Sequence, residues 1–100
     1  MKPVRIHDAA RAEIVHEALY YKAVSHALAE RFVKAVEDAI AIAAEFPAMG
    51  TAHKHGTRRC YPKKFPFSVV YLDRPDEIYV LAIAPFSRKP GYWKSRRVDG

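Results

Sequence analysis

A cluster of positive charge in the middle of the chain is the first group of residues whose types could do chemistry. The run Arg58-Arg59-Cys60-Tyr61-Pro62-Lys63-Lys64 places four cations within seven residues, with a tyrosine among them. If this run begins as a strand, alternation sends Arg59 and Tyr61 to one face and Arg58 to the other. An arginine on an open face could hold a phosphate through its two-pronged guanidinium group. The same run also fits a charged edge strand that resists aggregation.

The C-terminal segment carries a second basic group, in which cations are interleaved with aromatic rings and no acid lies between Glu77 and Asp99. Its members are Arg88, Lys89, Tyr92, Trp93, Lys94, Arg96 and Arg97. Such a segment suits RNA or single-stranded nucleic acid, because bases stack on rings while phosphates meet the charges. It also suits an acidic protein partner, because Trp, Tyr and Arg are enriched at binding hot spots. For Trp93 by itself we favour a packing role that pins this segment to the sheet.

Other kinds of site have weaker support in the sequence. His53 and His55 form the closest histidine pair, but no nearby Cys, Asp or Glu completes a ligand set, so we expect no metal. No motif couples Cys60 to a base, and a small half-buried strand residue is its simplest role. The four glycines form no phosphate-binding loop, so we expect no nucleotide hydrolysis and no cofactor. The adjacent acids Glu37-Asp38 and Asp76-Glu77 fit solvated charge better than catalytic pairs.

Length and charge restrict the class of protein. One hundred residues, of which 50% are hydrophobic, predict a single domain over residues 1–100. The formal net charge is +6, and residues 51–100 hold eleven Lys/Arg against four Asp/Glu, whereas residues 1–50 hold six against seven. A basic half favours nucleic acid or an acidic protein as partner. The single cysteine, the absence of a long apolar run and the polar N-terminus lead us to expect a cytoplasmic protein without membrane contact.

The elements that must position these residues follow from the periodicity of the sequence. Residues 4–7 alternate as a short strand, and Asp8 is a candidate N-cap for a helix over residues 9–24. Ser25 is a candidate N-cap for a second helix, which ends at Phe46-Pro47 because proline disfavours helical geometry in the residue before it. Two antiparallel helices joined by a tight turn are therefore predicted.

Strands are predicted in the second half of the chain. Residues 58–61 could begin one, and the β-branched and aromatic runs 67–72 and 78–84 flank the turn sequence Asp73-Arg74-Pro75-Asp76, which predicts a hairpin. Helices and strands must bury each other's apolar faces. We therefore predict an α+β domain of two layers, in which the N-terminal helical hairpin packs on a three- or four-stranded antiparallel sheet. The other face of the sheet would stay partly open.

Short motifs spread along the chain form an ordered set. They are Asp8-Ala9-Ala10, Tyr20-Tyr21, Leu28-Ala29-Glu30-Arg31-Phe32, Phe46-Pro47, Arg58-Arg59, Phe65-Pro66-Phe67, Tyr71 and Arg88-Lys89-Pro90-Gly91-Tyr92-Trp93. Together they resemble the RelE/ParE superfamily, the small toxins of type II toxin–antitoxin modules, often called plasmid stabilisation proteins. No single motif is diagnostic, but the set covers nearly the whole chain. The resemblance implies a helical hairpin on an antiparallel sheet, as the spacing predicts independently.

The resemblance also implies a protein partner. Toxins of this superfamily are neutralised by an acidic antitoxin, whose C-terminal segment wraps the toxin and commonly folds as it binds. The basic charge of this chain would give electrostatic complementarity within a toxin–antitoxin hetero-oligomer. We expect the antitoxin on the helical hairpin beside the sheet. The residues expected to contact it are Tyr21, Leu28, Phe32 and Phe67.

Activity divides the superfamily. RelE-like members cut messenger RNA in the ribosome, and the resemblance then implies that Arg59 and Arg88 stabilise the phosphate while Tyr92 serves in acid–base work or stacking. ParE-like members inhibit DNA gyrase and hydrolyse nothing. In either case, further residues are expected to contact the cellular target, which is gyrase or ribosome-bound mRNA. They are Arg58, Lys63, Lys64, Lys89, Trp93, Lys94, Arg96 and Arg97.

Two departures from the RelE-like pattern separate these activities. Relatives with a similar proline-glycine-tyrosine-tryptophan tail usually carry a histidine at the position of Pro85, and ribosome-dependent nucleases tend to carry an arginine near Phe86. Both departures remove a polar group from the expected active face. We therefore predict a ParE-like gyrase inhibitor without enzymatic activity. A ribosome-dependent nuclease is the alternative, and a degenerate module that only binds its antitoxin is the third reading.

Overall fold

Two helices and five strands make up the part of the chain that the structure describes. The computed structural model describes residues 1–98, so Asp99 and Gly100 lie outside it. The elements are β1 Val4–Ile6, α1 Asp8–Lys22, α2 His26–Glu45, β2 Thr51–Ala52, β3 Arg58–Cys60, β4 Phe67–Asp73 and β5 Ile78–Pro85, with short 3₁₀ turns at Pro47–Met49, Lys54–Gly56 and Lys94–Val98. Within residues 1–98, none of the helices has both the length and the apolar character needed to cross a bilayer.

The helical hairpin is confirmed, with one change at its first cap. His7, not Asp8, is the N-cap of α1, because its Nδ1 accepts a hydrogen bond from the Ala9 amide at 3.0 Å. Asp8 is instead the first helical residue, where its negative charge interacts favourably with the positive end of the helix dipole. The predicted cap of α2 is confirmed, since the Ser25 hydroxyl accepts from the Leu28 amide at 2.9 Å.

The α+β class and the two-layer arrangement are confirmed, but the sheet differs from the prediction. It has five strands in the order β1-β5-β4-β3-β2 and is mixed, because β1 runs parallel to β5 while the other neighbours are antiparallel. Val4 pairs with Ile78, and partners so distant in sequence leave no local pattern to detect. Strand β2 is only two residues long and was not among the predicted strands.

A β-bulge interrupts the hairpin of β4 and β5. Val70 pairs with Ala82, whereas the next residue, Tyr71, pairs with Val80, so Leu81 is the extra residue on β5. The bulge lets Leu81 and Ala82 both pack on the face away from the helices, while Val80 and Ile83 pack toward them. The bulge lies just beyond Val80, the last residue of β5 that pairs with β1, so the edge of β5 no longer has β1 as a neighbour from this point on.

Each face of the sheet has its own apolar cluster. Phe32 and Val36 from α2 pack with Phe67 and Val69 from β4 on the helical side, and all four are buried. The opposite face was predicted to stay partly open, and Trp93 covers part of it and is 0% exposed. The packing role predicted for this tryptophan is confirmed.

Replacing Gly50 by alanine should destabilise the fold by about 1–3 kcal/mol, because the added Cβ would collide with the Tyr71 hydroxyl and overpacking typically costs that much. This hydroxyl donates to the Pro47 carbonyl at 2.6 Å, so it cannot move away without losing a hydrogen bond. Urea denaturation measures the effect. In a Tyr71→Phe background the same change should cost less, and an equal cost in both backgrounds would contradict the steric explanation.

Candidate functional site

A cleft of about 260 Å³ opens on the face of the sheet away from the helices. It is lined by His53, Arg59, Ser68, Val70, Ala84, Pro85, Phe86, Arg88, Pro90 and Trp93. Ser68 and Ala84 are paired neighbours on β4 and β5, and their short side chains leave room above the sheet. The cleft therefore exists where small strand residues meet the larger residues of the C-terminal segment.

Two of the predicted catalytic residues, Arg59 and Arg88, meet at this cleft. Arg59 pairs with Val70 across β3 and β4, and the two side chains share the open face, as alternation predicted. The Arg88 guanidinium lies over the Tyr92 ring, with its carbon 3.5 Å from the ring centroid. A cation on an aromatic face is held in place without losing its capacity to bind an anion. The sequence thus identified the two cations that the fold brings together.

The third predicted catalytic residue, Tyr92, is engaged elsewhere. Its hydroxyl donates to Glu13 Oε2 at 2.8 Å. Burial, and then the hydrogen bond to this carboxylate, raise the pKa of Tyr92 well above its ordinary value. The phenol is therefore held protonated, and its ring supports Arg88.

Glu13 is a site residue that sequence reasoning missed. Its Oε1 accepts from the Ile83 amide and from Arg96 Nη1, both at 3.0 Å, in addition to the bond from Tyr92. One carboxylate on α1 thus fastens both β5 and the C-terminal segment. Its signal in the sequence is its position three residues after Ala10, which places both residues on the same side of α1. The structure shows that Ala10 is fully buried, so the acid lies on the inward side of the helix.

His53 is a second residue that was not predicted to belong to the site. It lines the cleft and its ring lies 5.7 Å from the Trp93 ring. Burial, and then the nearby Arg59 charge, lower the pKa of His53, so the imidazole is neutral at pH 7. In the sequence it is marked only by its spacing from His55.

Cys60 is unsuited to nucleophilic work. Burial raises the pKa of its thiol to about 11, so almost none is thiolate at pH 7. The thiol donates a weak hydrogen bond to the Ala39 carbonyl at 3.6 Å. Among residues 1–98, no three His, Cys, Asp or Glu side chains come close enough together to hold a metal ion.

Several residues predicted to contact the target instead hold the fold together. Arg58 donates to the Gly50 carbonyl, and Arg97 to the His55 carbonyl. Arg96 donates to Glu13 and also to the Leu81 carbonyl, at the bulge. Trp93 is inside the second apolar cluster. Each of these four side chains has a structural partner within the fold, and their contact with a cellular target stays a prediction.

The remaining predicted target residues do not form one surface. Lys89 and Lys94 are exposed on the C-terminal segment, whereas Lys63 and Lys64 line a different groove beside α2. The basic half of the sequence is thus divided between two regions. Strand β3 ends before Lys63, so the two lysines do not continue the strand that carries Arg59.

The groove beside α2 has an apolar floor and a basic rim. Its volume is about 630 Å³. The floor is formed by Ala35, Ala39, Ile42, Tyr61 and Phe65, and the charged residues around it are Arg31, Lys34, Asp38, Lys63 and Lys64. Four cations against one acid give this groove a positive field.

Of the four residues predicted to bind an antitoxin, two are buried in the core and two are half-buried. Phe32 is 0% and Phe67 3% exposed, so both belong to the core and cannot contact a partner in this fold. The Tyr21 ring packs against Phe32 and Phe65, with centroids 5.1 and 5.3 Å away. Tyr21 and Leu28 are half-buried and keep some accessible surface. An apolar pattern alone could not separate core positions from surface positions on the same helix.

The fold and the cleft define a small α+β protein in which Arg59 and Arg88 line one cleft and the Tyr92 hydroxyl is bound to Glu13. Over residues 4–90 the sequence matches the family described as the ParE toxin of the type II toxin–antitoxin system, parDE, and the chain belongs to this family. No curated protein matches the sequence. A solved structure, the chromosomal ParDE TA system from P. aeruginosa, is similar with a TM-score of 0.67 and 21% identity, over 85% of this chain and 96% of that chain. At this identity the likeness shows the fold.

Changing Glu13 to glutamine should destabilise the protein by about 1.5–3 kcal/mol, which is the typical contribution of a hydrogen bond to a charged group. The change removes the charge from the carboxylate and leaves Arg96 without this counter-ion. Urea denaturation followed by Trp93 fluorescence would measure the change. Asp38→Asn is the matched control, because it also removes one carboxylate charge but from an exposed pair with Lys34. An equal effect of the two changes would contradict the role given to Glu13.

Proposed function

We propose that this chain is a toxin that inhibits DNA gyrase by binding and is neutralised by an acidic antitoxin. Membership of the ParE family supports a role in a type II toxin–antitoxin module. The observation that carries the gyrase proposal over RNA cleavage is the hydrogen bond from Tyr92 to Glu13. It removes from the cleft the hydroxyl that a RelE-like nuclease would use.

Proton transfer is the step on which the two activities differ. Cleaving RNA takes a base that deprotonates the attacking 2′-hydroxyl and an acid that protonates the leaving oxygen. Among the described residues that line the cleft, His53 is the one group that can act as a base at pH 7, because burial lowers the pKa of its imidazole. A single neutral histidine beside two arginines can accept a proton, but it has no acid partner there. Binding by positioned cations therefore accounts for the cleft better than hydrolysis does.

The groove beside α2 supports the antitoxin part of the proposal. An amphipathic acidic segment could place apolar side chains on the floor at Ala35, Ala39 and Ile42 while its carboxylates meet the rim. The rim lysines, Lys63 and Lys64, are exposed, so charge attraction there would act mainly on the association rate. Half-buried Tyr21 and Leu28 would extend the contact along the helical hairpin.

A supercoiling assay with purified gyrase, ATP and relaxed plasmid tests the proposed activity. The toxin should cause a dose-dependent loss of supercoiling, and Tyr92→Phe should retain this inhibition, because the hydroxyl only positions the ring. A parallel translation reaction should show intact mRNA with both proteins. Unimpaired supercoiling together with mRNA cleavage that Tyr92→Phe abolishes would overturn the proposal and establish the nuclease alternative.

Reversing both rim lysines, Lys63→Glu with Lys64→Glu, should weaken binding of the cognate antitoxin about tenfold, mostly through slower association. Surface plasmon resonance at two salt concentrations measures this, and the difference should shrink at high salt. Lys89→Glu with Lys94→Glu is the matched control, because it changes the net charge equally at a distance from the groove. If the control pair weakens binding as much, the antitoxin does not occupy this groove.

A further inference from the structure

Among residues 1–98, those that line the cleft on the open face of the sheet include hydrogen-bond donors and no Asp or Glu. Arg59 and Arg88 carry fixed positive charge, and Ser68, His53 and Trp93 each add a group that can donate. A lining with this inventory attracts an acceptor that bears negative charge. It would repel a cation and would give a neutral apolar molecule little beyond the Phe86 and Pro90 side chains.

Two of these donors are buried without a protein partner. Trp93 is 0% exposed, and neither its Nε1 nor Arg59 Nε makes a hydrogen bond with any residue in the range 1–98. A buried donor that is left unsatisfied typically costs about 1–3 kcal/mol, so proteins rarely keep two at one place. A bound acceptor in the cleft would satisfy such groups.

The cations of the cleft are held in place before any ligand arrives. The Arg88 guanidinium lies on the Tyr92 ring, and that ring is fixed by the bond to Glu13. Arg59 sits on β3 between β2 and β4, and its guanidinium carbon lies 5.7 Å from the centroid of the Tyr61 ring. A site whose donors are already positioned loses less side-chain entropy on binding.

We propose that this cleft binds a phosphate group, held by Arg59 and Arg88 with the Trp93 indole N–H as an additional donor. A phosphate offers more oxygens than a carboxylate, and the cleft offers five donor-bearing side chains, so phosphate satisfies the lining more completely. Guanidinium groups also match phosphate geometry through paired N–H donors. The proposal is independent of gyrase and of the antitoxin.

Nuclear magnetic resonance of the full ¹⁵N-labelled chain tests this directly, because Trp93 is the single tryptophan and gives one indole N–H signal. Sodium phosphate, balanced with sodium chloride to constant ionic strength, should shift that signal in a saturable way. Sodium acetate over the same concentrations should cause no saturable shift. A shift with acetate at equal or lower concentration would replace phosphate by a carboxylate, and no saturable shift with phosphate would overturn the site.

Charge-matched variants separate a built site from general attraction. Arg59→Gln and Arg88→Gln should each raise the phosphate dissociation constant about tenfold or more, as loss of a charge-assisted hydrogen bond predicts. Lys94→Gln removes the same charge from the exposed C-terminal segment outside the cleft and should leave the constant unchanged. Because Arg88 is exposed, its variant stays informative even if Arg59→Gln unfolds. An equal loss in Lys94→Gln would overturn the proposal.

Discussion

The carboxylate of Glu13 connects three parts of the molecule that are distant in sequence. From α1 it receives the amide of Ile83 on β5, the hydroxyl of Tyr92 and the guanidinium of Arg96. Strand β1 pairs with β5 only as far as Val80, so the edge of β5 beyond that point needs side chains to satisfy its polar backbone groups. Glu13 and Arg96 do this together, and in doing so they dock the C-terminal segment.

The character of the cleft follows from this docking. Because Tyr92 is bound to Glu13, its ring supports Arg88 and its proton is withheld from the cleft. Because the same segment carries Trp93 over the sheet, the indole closes one side of the cleft and buries its own N–H. The cleft is therefore lined by positioned cations and hydrogen-bond donors. This is the physical basis for proposing a protein that binds through charge and does not catalyse hydrolysis.

Local sequence patterns predicted what local physics controls. The Ser25 cap, the end of α2 at Phe46-Pro47 and the β4–β5 hairpin depend on neighbouring residues, and all three are confirmed. The parallel pairing of β1 was not predicted, because its partner β5 lies more than seventy residues further along the chain. Phe32 was predicted to contact a partner but is buried in the core. The sequence pattern of an apolar helix residue is the same whether the sheet or a partner protein covers it.

The two-layer α+β fold, the basic second half and the face of Arg59 could be predicted from the sequence, because hydrophobic period, composition and strand alternation act over a few residues. Which cations are accessible depends on tertiary packing. Arg58, Arg96 and Arg97 were equal candidates with Lys63 and Lys89 until folding supplied carbonyls and a carboxylate to the three arginines. A side chain's partners come from the chain that packs against it, and composition cannot name them.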